Sequence, residues 1–487
     1  MKNNRRRGFF AKIGIGLASL SLSSFPNVVA MAMKRLPKKF GIEVFFTTGF
    51  KTAEVNAHSA LLWTRLCAQQ KPQPISHKRN ETVFRHPIDF DDNMPVEKMD
   101  GAVKGVAGRI RATLSHKGNT IVSDWYPAKE ENDYTVRIPF ENLQADSSYE
   151  IVWEAKSNTA NDLFFTEGSF HTAPDPDTPK TIQLVTSTCQ YFWSYDNDER
   201  GFDTYDSMGR LKPDFFVHTG DYVYYDKPGP FAKNIEKARH KWHAMDGWPA
   251  LVDFYKNTPI YMLKDDHDLL EDDAYPTSGS YGELTFQDGL KLWNENAPIR
   301  DKPYRTFRWG KDLQVWLVEG REFRSANPIP DGPGKTIWGS EQKQWFEETL
   351  NASDATFKIL FSPTPVVGPD RENKSDNHAN ESFETEGNWL RDFLSAQKNT
   401  FVVNGDRHWQ YVSVDGKTGL MEFGSGPVSD AHAQGWDQED LRVEHRFLRV
   451  KGGFLGIKVE RKNALPVITF THYDTEGNNV HEERIRG

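Results

Sequence analysis

Apolar and polar positions along this chain fall into two textures that change near residue 180. From about residue 40 to 173 the apolar residues come in short, partly alternating runs, at 59–65, 135–139, 148–154 and 168–172, separated by polar turns. Period-two runs of that length predict half-buried strands, and the segment reads as an immunoglobulin- or fibronectin-like β-sandwich. The proline-rich stretch 174–179 reads as a linker. Beyond it, strand patterns alternate with helical ones. Helices are predicted over 232–244, 249–256, 282–296 and 340–350, the last with Ser340 as its cap, and before Thr400 on an apolar face made by Trp389, Leu390, Phe393 and Leu394. Strands at 313–318, 357–361, 420–423 and 467–471 complete two sheets with helices outside. The fold class expected is α/β, over residues 181–487, preceded by an all-β domain over 40–173.

Four apolar runs in the second part end in residues that can bind metal. Phe215, Phe216 and Val217 form a run that stops at Gly220 and Asp221, with Tyr224 three residues on. The run 181–188 ends at Cys189, the run 259–264 enters Asp265, Asp266, His267 and Asp268, and the run 400–404 leads to Asp406 and His408. In open α/β sheets ligands sit beyond the carboxyl ends of the strands, so these residues converge on one oxygen-, sulfur- and nitrogen-rich site.

The chain has 487 residues, long enough for more than one domain. Its mean hydropathy is -0.68, and no apolar stretch after the first thirty residues is long enough to span a bilayer. Residues 1–32 read as a targeting segment: Arg5, Arg6 and Arg7 precede Gly8, Phe9 and Phe10, an apolar region runs from 13 to 25, and Ala30, Met31 and Ala32 offer a small-x-small cleavage site. The pattern resembles a twin-arginine signal, which implies transient contact with that export machinery and a periplasmic or secreted, folded product. Arg5 stands where Ser or Thr is usual and Ala11 where Lys is, so a general secretory signal is the alternative. Removing residues 1–32 removes five cations (Lys2, Arg5, Arg6, Arg7 and Lys12) and no acid, which takes the formal charge from -9 to -14. No basic stripe follows, and binding to a nucleic-acid duplex is not expected. Of two cysteines, Cys67 reads as free and buried and Cys189 as a ligand.

Taken in order, Ser187 to Gln190, His218 to Tyr224, Asp265 to Asp268 and Gly405 to His408 resemble the four site blocks of the alkaline phosphatase D group of metallophosphoesterases, and residues 49–66 resemble the entry to that family's N-terminal sandwich. The resemblance implies a calcineurin-like αββα catalytic domain, a phosphatase or phosphodiesterase acting on small phosphoesters, and Fe3+ beside Ca2+. Thiolate, phenolate and imidazole suit iron, which assigns Cys189, Asp221, Tyr224 and His408 to it with Asp221 bridging; carboxylates suit calcium, which assigns Asp266 and Asp406 to the second ion. Asp265 is included in the expected metal set. His267 would face the phosphate or protonate the leaving oxygen, with Asp266 beside it in the catalytic set. Where the family commonly carries an Asn, this chain has Asp272, also a candidate ligand, which would strengthen calcium binding or favour another divalent ion and repel a monoester more than a diester. The implied chemistry is attack by a metal-activated hydroxide under alkaline conditions. The competing expectations are another calcineurin-like hydrolase, such as a nucleotidase, and a non-catalytic exported binding protein.

Overall fold

In the computed structural model, which describes residues 43–80, 88–159, 162–300 and 302–487, the apolar runs after residue 180 are strands whose two faces are buried in different layers. The export segment expected over residues 1–32 lies outside the described residues. Among the described residues, nine strands make the first sheet, in the order β21 (Asn479–Arg486), β20 (Leu465–Tyr473), β19 (Phe454–Lys462), β9 (Ile182–Ser187), β10 (Phe215–His218), β11 (Ile260–Met262), β1 (Phe50–Ala53), β2 (Ala60–Arg65) and β6 (Thr135–Phe140). Seven make the second: β12 (Arg305–Trp309), β13 (Leu313–Leu317), β14 (Phe357–Ser362), β15 (Thr400–Asn404), β17 (Met421–Ser425), β16 (Gln410–Val414) and β18 (His445–Arg449).

Alternation along each strand sorts side chains between layers. On β10, Phe215 and Val217 enter the core between the two sheets, whereas Phe216 faces the helices outside the first sheet. On β15, Phe401 and Val403 point inward and Val402 outward, toward the helices of the second sheet. A strand buried on both faces needs a continuous apolar run, and this is why the runs read from sequence were unbroken. Four helices cover the first sheet: Asp203–Arg210, Ile235–Asp246, Pro249–Tyr255 and Phe286–Asn296, through Met208, Trp242, Phe254 and Trp293. Gly339–Asn351 and Glu384–Ser395 cover the second, through Phe346, Leu350, Leu390 and Leu394.

Helix boundaries follow the caps. Asn234 accepts from Lys237 N, starting its helix later than the predicted 232, and Thr285 with Asp288 makes a reciprocal capping box where the pattern suggested a start at 282. The helix expected to be capped by Ser340 begins at Gly339, with no side-chain cap. No helix among the described residues is long and apolar enough to cross a membrane.

The first texture of the sequence also folds as strands, but they do not close on themselves. A third sheet contains β4 (Asn119–Val122), β3 (Gly108–His116), β7 (Ser148–Ser157) and β8 (Phe164–His171), with β5 (Tyr126–Ala128) paired to β3. It packs Ile110, Leu114, Ile151 and Trp153 into the same apolar core as Leu62 of β2, Ile138 of β6, Leu184 of β9 and Phe215 of β10. Yet β1, β2 and β6 extend the first sheet, β1 lying parallel to β11 with Ala53 opposite Ile260. The sandwich over 40–173 therefore shares one of its sheets with residues beyond 180, and the segment 174–179 lies against the β12–β13 turn, where Gly310 N and Lys311 N donate to Pro174 O and Thr178 O. Alternation reveals that a strand is half buried; it carries no information about which sheet the strand joins.

Candidate metal centre

Parallel pairing brings the predicted residues to one edge. Ser187 of β9, His218 of β10 and Met262 of β11 lie in register, so the chain leaves all three strands together. In the second sheet β15 ends at Asn404 beside Ser362 of β14, and a bridge between Thr188 and Pro427 joins the ends of the two sheets. The chain then turns sharply: Cys189, Asp221 and Asp406 all adopt left-handed backbone, with φ of 52°, 57° and 62°. That conformation costs an L-residue about 1–2 kcal/mol, less for Asp. Room for the turns comes from glycine. A Cβ on Gly220 would stand 2.7 Å from Asp265 Cβ, and one on Gly405 would stand 2.3 Å from Thr219 O.

A buried carboxylate fastens two of these turns. Asp268 accepts from the backbone N–H groups of Asp221 (2.9 Å), Val223 (3.0 Å) and Asp265 (3.0 Å). Burial pushes its carboxyl up to about 7 despite those donors.

The first constellation is centred on Tyr224. Its hydroxyl lies 3.0 Å from Asp221 Oδ2, 3.2 Å from His408 Nε2 and 3.0 Å from His432 Nε2. Cys189 Sγ is 3.4 Å from Asp221 Oδ2, and Cys189, Asp221 and His408 offer ligand atoms within 4.8 Å of one another. Burial and the neighbouring acids push the Cys189 thiol up; burial with Asp221 and Cys189 does the same to the Tyr224 phenol. Asp221 is raised by burial and by Asp266, Asp268 and Asp406, against His267. Burial keeps His408 and His432 neutral, with lone pairs to offer. Each anion in the cluster is made costly by the others, which is the electrostatic signature of a site built for a cation.

The second constellation is carboxylate-rich. Asp221, Asp266 and His267 form one group within 4.8 Å, and Asp266, Asp272 and Asp273 another. Burial disfavours an Asp266 carboxylate, but Arg321, His267 and Lys374 outweigh it and hold the carboxyl below the ordinary range. His267 donates from Nδ1 to Asp226 Oδ1 (2.7 Å), and its Nε2 lies 3.7 Å from Asp272 Oδ1. Burial works against the imidazolium, yet Asp226, Asp266 and Asp221 raise it well above its ordinary value.

Donor set and hydrogen bonding both fit metal. Asp221 Oδ1 and Asp266 Oδ1 are buried without a hydrogen-bond partner, as is Asp265 Oδ2. An orphaned buried carboxylate oxygen is costly unless something coordinates it. Thiol, phenol and imidazole on one side and oxygen ligands on the other match a Lewis-acidic transition metal beside a hard divalent ion. Of the predicted residues, Asp265 and Asp406 lie outside the groups within 4.8 Å, with Arg321 Nε at 2.5 Å from Asp265 Oδ1 and Arg407 Nη2 at 2.6 Å from Asp406 Oδ2, yet Asp406 Oδ2, like Asp265 Oδ2, is buried without a hydrogen-bond partner. Asp273, not singled out from the sequence, joins Asp266 and Asp272 instead. Cys67 is free and buried.

A profile of the PhoD-like phosphatase family matches residues 184–451, more than half of the chain and every block just described. The chain belongs to the PhoD-like phosphatase family. Members are phosphoester hydrolases. Alkaline phosphatase D of Bacillus subtilis (strain 168) is 22% identical over 500 residues, covering 90% of this chain and 78% of that protein. The solved structure of PhoD superposes with a TM-score of 0.68 at 16% identity, covering 92% of this chain and 90% of that one. Purple acid phosphatase PPD1 from yellow lupin (Lupinus luteus) seeds gives 0.60 at 10% identity, covering 90% and 74%. Both share the fold.

In this PhoD-like phosphatase the sequence pattern missed His432, Asp226, Arg321 and Lys374. His432 follows β17, which ends at the same edge, but six residues separate the two and no apolar run points to it. Asp226 lies two residues beyond Tyr224, and only the fold turns it toward His267. Arg321 and Lys374 come from irregular loops, which carry no periodic signal.

Proposed function

We propose that this PhoD-like phosphatase is an exported, metal-dependent phosphatase or phosphodiesterase, with iron held by Cys189, Asp221, Tyr224, His408 and His432, and a divalent ion such as calcium held by Asp221, Asp266 and the adjoining carboxylates. One observation carries the reading: a buried phenol hydroxyl within 3.2 Å of a carboxylate and two neutral imidazoles, with a buried thiol beside them. A metal pair in this position supplies Lewis acidity that polarises the phosphoryl oxygens and activates water. The protein's own part is proton delivery and charge placement. His267, held by Asp226 at Nδ1, presents Nε2 to the site and donates a proton to the departing alkoxide. Asp272, 67% exposed, adds a negative charge that disfavours a doubly charged monoester relative to a diester. Export through the twin-arginine route is supported by the arginines before Gly8, Phe9 and Phe10.

The test is metal analysis and visible absorption of protein purified from the periplasm. A phenolate on trivalent iron gives a charge-transfer band, and Tyr224→Phe is expected to abolish most of it and to weaken iron retention. Tyr222→Phe and Tyr225→Phe leave the band unchanged, since those hydroxyls bond Asp246 and Trp242. A colourless, iron-free enzyme of full activity overturns the assignment.

A further inference from the structure

Lys374 lies where a second cation is called for. Its side chain is 9% exposed, and Nζ donates to Asp273 Oδ1 at 2.6 Å and to Asp272 Oδ1 at 3.2 Å. Those two carboxylates and Asp266 place oxygens within 4.8 Å of one another, and Asp273 N donates to Asp266 Oδ2 at 2.5 Å. The placement is built rather than incidental. Two residues further along, Asp376 accepts from Arg321 Nη2 at 3.0 Å, and Arg321 also holds Asp265 and faces Asp266 at 3.5 Å. At the near end of the same loop, Asp370 pairs with Arg407 at 2.7 Å and accepts from Asn377. The loop is therefore pinned on both sides of Lys374.

A calcium ion takes six to eight oxygens, and a carboxylate oxygen engaged with an ammonium is a poorer ligand. Two cations on the same carboxylates of a half-buried site also repel. We propose that the Lys374 ammonium is the resident counter-ion of the carboxylate half of the site. A divalent ion enters by displacing Lys374 from Asp272 and Asp273, so this lysine sets the affinity of the second metal position. The inference rests on the two-metal reading above, and Asp266 Oδ1, buried without a hydrogen-bond donor although Arg321 stands 3.5 Å away, is the independent sign that a ligand belongs there.

The experiment uses full-length, iron-loaded protein and calcium as the only added ligand. Equilibrium dialysis is expected to show calcium binding to Lys374→Met about tenfold tighter than to the wild type, with Lys374→Arg close to the wild type. In parallel, the unmutated protein is labelled with an amine-acylating reagent and read by peptide mass spectrometry; Lys374 labelling rises when calcium is added, because the ammonium is released. Unchanged or weaker calcium binding in Lys374→Met, or Lys374 labelling that calcium leaves the same or suppresses, overturns the proposal. Should Lys374→Met fail to fold, the labelling of the wild type decides alone. The iron absorption band, recorded on every sample, reports separately on the function proposed above.

Discussion

Asp226 and His267 show how much a single contact can govern. Burial alone would strip the proton from His267, and Asp226, at 2.7 Å, leads the acids that restore it. A proton donor works only while protonated, so activity falls as pH rises through the pKa of His267. Asp226→Asn removes the leading cause of the raised value, and the alkaline limb of the kcat profile is expected to move to lower pH, with kcat reduced about 10²-fold or more. His267→Gln should flatten that limb. Both variants should keep the iron band, because neither side chain is among the residues assigned to iron. Residues such as Asp226 were invisible in the sequence for a plain reason: nothing local marks a carboxylate that is oriented by a fold.

Strands and their ends were more legible. Cys189, Asp221, Tyr224 and His408, each of which closes or follows an apolar run, come together because parallel register converts four run ends into one place. The loops carrying His432, Arg321 and Lys374 have no such signal. What the pattern could not show is the fastening between elements, of which Asp268 is the chief example. Asp268→Ala leaves three buried N–H groups without acceptors, at about 1–3 kcal/mol each when unsatisfied. Chemical denaturation is expected to show a loss of several kcal/mol and faster release of iron, whereas Asp268→Asn, which keeps a carbonyl acceptor, should lose less. Equal effects of the two substitutions would assign the role to packing and not to the hydrogen bonds.

At the scale of the molecule the division expected near residue 174 is bridged by a buried ion pair. Lys51 of β1 donates to Asp246, at the end of the helix Ile235–Asp246, at 2.7 Å, with Nζ 4.6 Å from the Trp63 ring centre and 4.9 Å from that of Tyr222. Asp246 also accepts from Tyr222, the residue after Asp221. Removing one partner of a buried pair leaves the other uncompensated, and Asp246→Ala is expected to cost about 3–5 kcal/mol in urea unfolding. Loss of the N-terminal strands and of the site in one cooperative transition, followed by fluorescence and by iron absorbance, is the expected course; separate transitions would restore the division.

The bridge between Thr188 and Pro427 marks where the ends of the two sheets meet, and the proposed ligands divide across it: Cys189, Asp221 and Tyr224 follow strands of the first sheet, His408 and His432 strands of the second. A metal ion there is a rivet through both halves of the sandwich, and loading becomes a mechanical property. Binding at a hundred times the dissociation constant adds about 2.7 kcal/mol to the folded state, so the iron-loaded protein should melt several degrees above the stripped one, and re-addition should restore the difference. Such a rivet can be set only after the two halves have come together, so on the reading proposed above the chain would finish folding before it leaves the compartment that supplies its metal.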